Sequence, residues 1–232
     1  MKAFLLAAGH GTRLRPLTDN IPKCLVPIRG VSMLDIWLEL CRRAGISDLF
    51  VNLHAHADIV RAALKDSHSG VKVLLSEEKV LLGSAGTLLS NRQWVASEPE
   101  FWVLYADVLT TADLSHMMAF HRRNRPTATI GLYQVTDPSR CGVVVFDDHG
   151  IVREFTEKPA RPKSNWVFSG LLIATPALLD AIPPEPPVDL GFNVLPGLAG
   201  HMLAYPISDY VLDIGTMENY QAAQTTWPGL SS

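Results

Sequence analysis

The sequence predicts an α/β fold: a doubly wound, mostly parallel, Rossmann-like sheet with helices on both faces and a smaller, hairpin-containing lobe. Short apolar runs at Lys2–Ala7, Asp48–Leu53 and Phe101–Tyr105 have the length of buried strands. Segments with apolar residues at helical spacing lie between them, giving β-α-β-α-β with short links, the pattern of a wound parallel sheet. Of the 232 residues, 47% are apolar and 19% charged, ordinary globular composition with enough apolar material for one large core.

After the first strand, Ser32 is placed to cap a helix from Met33, with Leu34, Trp37, Leu38 and Cys41 on one face and Gly45 as the stop. Asp48–Leu53 follows as a strand, Asp58–Lys65 as a helix and Val71–Leu75 as a strand. Leu82–Thr87 opens a helix expected to reach Ala96, and Phe101–Tyr105 reads as a central strand that delivers Asp107 to its carboxyl end. A helix through Leu114–Arg123 and a β-branched strand at Thr127–Gln134 come next. Cys141–Phe146 and Ile151–Thr156 flank the turn sequence Asp147–Gly150, a hairpin signal. Lys158–Lys163 reads as a loop, Trp166–Ala174 as a strand and Pro176–Ile182 as a short helix. Prolines 183, 184, 186 and 187 mark a rigid connection before an expected helix at Phe192–Ala199. Val211–Leu212 delivers Asp213, and Thr216 caps a last helix through Glu218–Gln224.

Net charge of −3 with no basic tail argues against a general nucleic-acid binder. The three cysteines (Cys24, Cys41 and Cys141) form no C-x-x-C pair and suit free thiols in a reducing cytosol. Neither a secretory signal nor an apolar stretch of ~20 residues is visible, so a cytoplasmic protein without membrane partners is expected.

The chemistry concentrates in the opening segment. The first strand runs directly into Gly9 and Gly11, where a backbone can turn tightly with its N–H groups bare. Arg13, Arg15 and Lys23 follow closely, and a strand feeding a glycine-rich, cationic loop is the layout of a phosphate cradle. The P-loop is excluded because no glycine precedes Lys-Ser or Lys-Thr, and the dinucleotide fingerprint because Leu14 stands at its third glycine. What remains, LAAGHGTRLRPLT followed by PKCLVP, resembles the sugar nucleotidyltransferases, the nucleoside-diphosphate-sugar pyrophosphorylases. The resemblance covers about residues 2–224 and looks most like the mannose-1-phosphate guanylyltransferases, without the C-terminal β-helix that several relatives carry.

That resemblance implies a reaction of a nucleoside triphosphate with a sugar 1-phosphate, giving an NDP-sugar and pyrophosphate. It implies one domain over 1–232, with 1–135 mainly the nucleotide half and 136–232 mainly the sugar-phosphate half. Matching motif positions place the nucleotide at Leu6, Ala8, Gly9, Gly11, Thr12, Arg13, Lys23, Glu78, Gly83 and Ser84. The sugar falls to Gly142, Glu157, Lys158 and Ser169, and Mg²⁺ to Asp107 and Asp213. Arg13, Lys23 and Lys158 are the expected catalytic cations, whereas Arg15 reads as a surface residue. One departure is Ala106, where the family pattern has glycine before the metal-binding aspartate. Two carboxylates at strand ends suit a hard cation bridging phosphates.

Glu78 bears on the nucleobase. A carboxylate only accepts hydrogen bonds, and guanine offers the adjacent donors N1–H and N2–H, whereas uracil and thymine offer one donor between two carbonyls. Glu78 therefore leans towards GTP. UTP- or dTTP-dependent glucose-1-phosphate enzymes, CTP-dependent enzymes and a non-catalytic NDP-sugar-binding regulator stand as alternatives, and the resemblance also allows a homo-oligomer. His54 and His56 lack further ligands around them for a metal, and His10 reads as a bystander in the loop.

Overall fold

The structure, a computed structural model, describes residues 1–9, 11–54, 56–65 and 70–230. His10 lies outside them. In chain order the elements are β1 (Lys2–Leu6), β2 (Pro27–Ile28), β3 (Val31–Ser32), α1 (Met33–Arg43), β4 (Asp48–Leu53), α2 (Ala57–Lys65) and β5 (Lys72–Glu77). Next come α3 (Ser84–Ser90), α4 (Arg92–Val95), β6 (Phe101–Tyr105), β7 (Val108–Thr110), α5 (Leu114–Asn124) and β8 (Ala128–Gln134). The remainder comprises β9 (Gly142–Phe146), β10 (Val152–Glu157), β11 (Trp166–Ala174), α6 (Ala177–Asp180), β12 (Met202–Pro206), β13 (Val211–Asp213) and α7 (Met217–Thr226). The expected α/β class holds. Two compact units share the chain, one built from Met1–Leu81, Leu104–Ser115 and the segment from Asp209, the other from Leu82–Val103 and His116–Ser208.

In the first unit β1, β4 and β5 are parallel neighbours, with Leu6 opposite Asn52 and Asn52 opposite Ser76. The Ala106 N–H donates to Leu6 O at 3.1 Å, which brings the end of β6 beside the end of β1. Central strands lose solvent on both faces, hence the continuous apolar character of β1 and β4. Phe4 and Phe50 meet at 5.1 Å between ring centroids. Helix α1 starts where expected: Ser32 Oγ accepts the Asp35 N–H, and Leu34, Trp37, Leu38 and Cys41 are buried. Each such side chain contributes about 1.5–3 kcal/mol by leaving water. The short strands β7 and β13 pair antiparallel, Val108 opposite Asp213.

In the second unit β8 lies between antiparallel β11 and parallel β12, and β9 and β10 form the expected hairpin. Asp147 Oδ1 accepts the N–H groups of His149 and Ile151, and Gly150 takes φ +75°, as a tight turn requires. Some local expectations differ. The helix foreseen from Leu82 to Ala96 breaks at Asn91, whose side-chain amide donates to Thr87 O and competes with the helical ladder. In place of a helix at Phe192–Ala199 there is a wide turn at Leu190–Val194 followed by a 3₁₀ turn at Leu195–Leu198. Pro196 has no N–H to continue a regular helix. Strand β12 was not foreseen, because its alternation is only five residues long and ends in Pro206. Among the described residues no helix is long and apolar enough to cross a membrane.

Candidate functional site

The loop after β1 is built to leave its backbone open. Nothing lies within 4 Å of where a side chain on Gly9 would begin. Gly11 takes φ +63°, and its carbonyl accepts the Thr18 hydroxyl at 2.7 Å and the Leu14 N–H at 2.9 Å. Those bonds fold Thr12–Leu14 into a 3₁₀ turn, with Leu14 buried and Thr12 and Arg13 exposed. Leu6 ends β1 and Ala8 is buried just beyond it. Arg15 turns away into an exposed ion pair with Asp19.

Four charged side chains meet beside this loop, all in the first unit. Lys23 Nζ donates to Asp107 Oδ2 at 2.6 Å. The Ile214 N–H donates to Asp107 O, which joins the two acidic segments by their backbones. Gly215 is the floor of the cluster. A Cβ there would lie 2.6 Å from Asp213 Oδ1, 2.9 Å from Arg13 Nη2 and 3.4 Å from Lys23 Nζ. Burial pushes the Asp213 carboxyl above the usual carboxylate range, the Asp107 charge adds to this, and Lys23 and Arg13 pull the other way. Two hard carboxylates, one of them destabilised by burial and by the other, form a donor set that fits Mg²⁺ completed by phosphate oxygens. Among the described residues no larger group of His, Cys, Asp or Glu could hold a metal.

Glu78 follows β5 and is buried, 7% exposed. Its N–H donates to Leu53 O, its carbonyl accepts the His54 Nδ1–H at 2.8 Å, and its Oε1 accepts from Asn52 Nδ2 at 2.8 Å. His54 therefore serves as a loop latch.

The second unit holds the other expected residues. Gly83, at φ +78°, packs so tightly that a Cβ would meet Val188 O at 2.3 Å. Ser84 Oγ donates to Asp189 Oδ2 at 2.8 Å and accepts the Leu190 N–H, so its hydroxyl is committed within the fold. The Glu157 carboxylate sits between two glycines, since a Cβ on Gly142 or Gly191 would meet its Oε2 at 2.8 or 2.5 Å. Burial raises the Glu157 carboxyl, Lys158 opposes the shift, and the Asp189 charge adds to it. Lys158 holds a left-handed φ of +49°, rare for a residue with a side chain, with its Nζ 3.5 Å from Glu157 Oε1 and over the exposed Phe192 ring. Ser169 lies on β11. It is 2% exposed, its Oγ accepts the Leu171 N–H, and it lies against Gly131.

Sequence reasoning missed four residues here. Asn52 was visible as the lone amide in the apolar run DLFVNL, and Asp189 as the acid that closes a proline-rich stretch. Gly215 stands two residues after Asp213, in the segment Asp213–Thr216, but nothing local marked it as a meeting point. Phe192 carried no signal.

Comparison with known proteins agrees with these features. A family model described as nucleotidyl transferase matches residues 2–227. Mannose-1-phosphate guanyltransferase beta-A of Xenopus laevis is 33% identical over 226 residues, 95% of this chain and 62% of that protein. The chain thus spans less than two thirds of the curated relatives it matches. Among solved structures, a putative glucose-1-phosphate thymidylyltransferase from Bacillus anthracis shares the fold at TM-score 0.90 and 22% identity, over 100% of this chain and 97% of that one. HddC from Yersinia pseudotuberculosis, complexed with GMP-PN, superposes at TM-score 0.81 and 25% identity, over 97% of this chain and 99% of that one.

Proposed function

Because this chain belongs to the nucleotidyl transferase family, we propose that it condenses GTP with mannose 1-phosphate or a related sugar 1-phosphate, forming a GDP-sugar and pyrophosphate. The observation that carries the proposal is the convergence of Arg13, Lys23 and Asp213 on Gly215, with Asp107 bonded to Lys23. A sugar phosphate bears nearly two negative charges at neutral pH, its second pKa being ~6, so it attacks the α-phosphorus without a general base. The barrier lies in bringing two polyanions together and in stabilising the departing pyrophosphate. Arg13 is assigned to the triphosphate and Lys23 to the transferring phosphate, while the bare amides around Gly9 and Gly11 cradle phosphate oxygens. Asp107 and Asp213 would hold Mg²⁺, which when bound supplies charge neutralisation on those oxygens.

In the second unit Glu157 is assigned to the sugar hydroxyls and Lys158 to the sugar phosphate. The guanine assignment rests on the buried carboxylate of Glu78. It is supported by the naming of the Xenopus relative as a guanyltransferase and by the GMP-PN bound to HddC. Cys24, Cys41 and Cys141 form no disulfide with one another, which suits a reducing compartment, so we assign the enzyme to the cytoplasm.

Pyrophosphate release with Mg²⁺, mannose 1-phosphate and each of GTP, UTP, dTTP, ATP and CTP tests the reading. GTP is expected to lead, with EDTA abolishing release. Preference for UTP or dTTP would remove the guanine assignment. Nucleotide binding without release from any pair would point instead to a regulatory binding protein.

A further inference from the structure

We propose that Asn52 is a positioning residue for nucleobase recognition, which it serves by fixing the plane of the Glu78 carboxylate and tying it to the base of the phosphate loop. The inference rests on the assignment of Glu78 to guanine made above.

Asn52 is 4% exposed in a strand that is otherwise apolar apart from its first residue. Burying an amide is unfavourable unless its polar atoms are satisfied, so its partners carry the explanation. Oδ1 accepts the Ala7 N–H at 2.8 Å, and Nδ2 donates to Glu78 Oε1 at 2.8 Å. This orientation is dictated by chemistry. A backbone N–H can meet only the oxygen, and an ionised carboxylate can meet only the NH₂.

The position follows from register. Asn52 lies opposite Leu6 on β1 and Ser76 on β5, so one side chain reaches the residue after β1 and the residue beyond β5. A carboxylate has about four acceptor sites, of which the Asn52 amide takes one at Oε1. Torsion about its terminal bond is otherwise broad, and a bidentate partner needs one plane. Asn52 supplies that plane. The Glu78 backbone is pinned separately by Leu53 O and His54, and the Asn52 amide acts on the side chain itself.

Inosine triphosphate is the discriminating probe, because hypoxanthine keeps N1–H and lacks the 2-amino donor. Equilibrium binding of GTP and ITP with Mg²⁺ would be measured on the full chain and on Asn52→Asp and Asn52→Ala. Asn52→Asp keeps an acceptor for Ala7 and deletes the donor to Glu78. Wild type is expected to favour GTP over ITP by about tenfold or more, the scale of one hydrogen bond to a charged group. Both variants should fall to within about threefold, chiefly by losing GTP affinity. A merely structural role would weaken both nucleotides together and keep the ratio, which would overturn the proposal. Should Asn52→Ala fail to fold, Asn52→Asp decides alone, and if both fail, hydrogen–deuterium exchange at Ala7 on adding GTP and then ITP to wild type decides. Protection by GTP alone supports the tie, and equal protection overturns it. A wild type that binds GTP and ITP equally removes the guanine assignment itself, a different outcome from selective wild type with selective variants.

Discussion

The Lys23 ammonium lies 2.6 Å from Asp107 Oδ2 across 84 residues of sequence, with the lysine side chain 11% exposed and the aspartate 30%. The cation thus compensates an acidic pair, and the proposed reaction asks it to meet the transferring phosphate as well. Replacing Lys23 with Ala should lower kcat/KM for pyrophosphate release by about 10²–10³, the scale for one preorganised charge contact. Stabilisation by added Mg²⁺ should grow in the same variant, because Asp107 then lacks its ion-pair partner and Asp213 keeps only Arg13. Thermal unfolding with and without Mg²⁺ reads the second effect.

Asp213 should mark the pH dependence of stability. Its folded carboxyl titrates above its ordinary value, so the native state holds the proton more tightly than the unfolded chain. Its contribution is fully present below the ordinary carboxylate range and is lost as pH rises through the raised folded value. In metal-free buffer, Asp213→Asn should therefore be more stable than wild type at neutral pH, with the advantage shrinking towards pH 4. Its Mg²⁺ stabilisation should largely disappear. Melting curves across pH, with and without Mg²⁺, check both statements.

Two glycines should tolerate no methyl group, for different reasons. At Gly215 an alanine Cβ meets the ends of the Asp213 and Arg13 side chains, which can shift. Activity should drop by at least about tenfold, since displaced charge contacts are worth kilocalories in the transition state, while the fold survives. At Gly83 the obstacle is the Val188 carbonyl, and φ is +78°. Gly83→Ala should cost about 3 kcal/mol of stability in a denaturant titration.

Glu157→Gln should raise KM for the sugar 1-phosphate by about tenfold or more, since a charged acceptor is lost, with much less change in KM for the nucleotide. Steady-state kinetics with each substrate varied in turn separates the two.

Thiol chemistry offers an independent check on packing. Burial pushes Cys24 and Cys41 up to about 12, whereas Cys141 is only half-buried. At pH 8 a thiol reagent should label Cys141 alone in the native protein and every cysteine after denaturation. Rapid native labelling of Cys24 or Cys41 would contradict this packing.

The amino-acid sequence alone determined what is local. The run Lys2–Ala7 and the glycines after it specify a strand opening into a bare, cationic turn, and Ser32, Thr216 and Asp147 announce their caps and turn within a few residues. Tertiary structure decided what depends on strand order and register. Asn52 reaches Ala7 across 45 residues and Glu78 across 26 because β4 lies between β1 and β5. Arg13 and Asp213 meet over Gly215 because the end of β13 folds back on β7. Ser84 closes on Asp189 across 105 residues, a contact that neither segment foretells. Propensity and periodicity act over a few residues, whereas such pairings are selected by burial and hydrogen-bond satisfaction throughout the folded chain, so only the fold could reveal them.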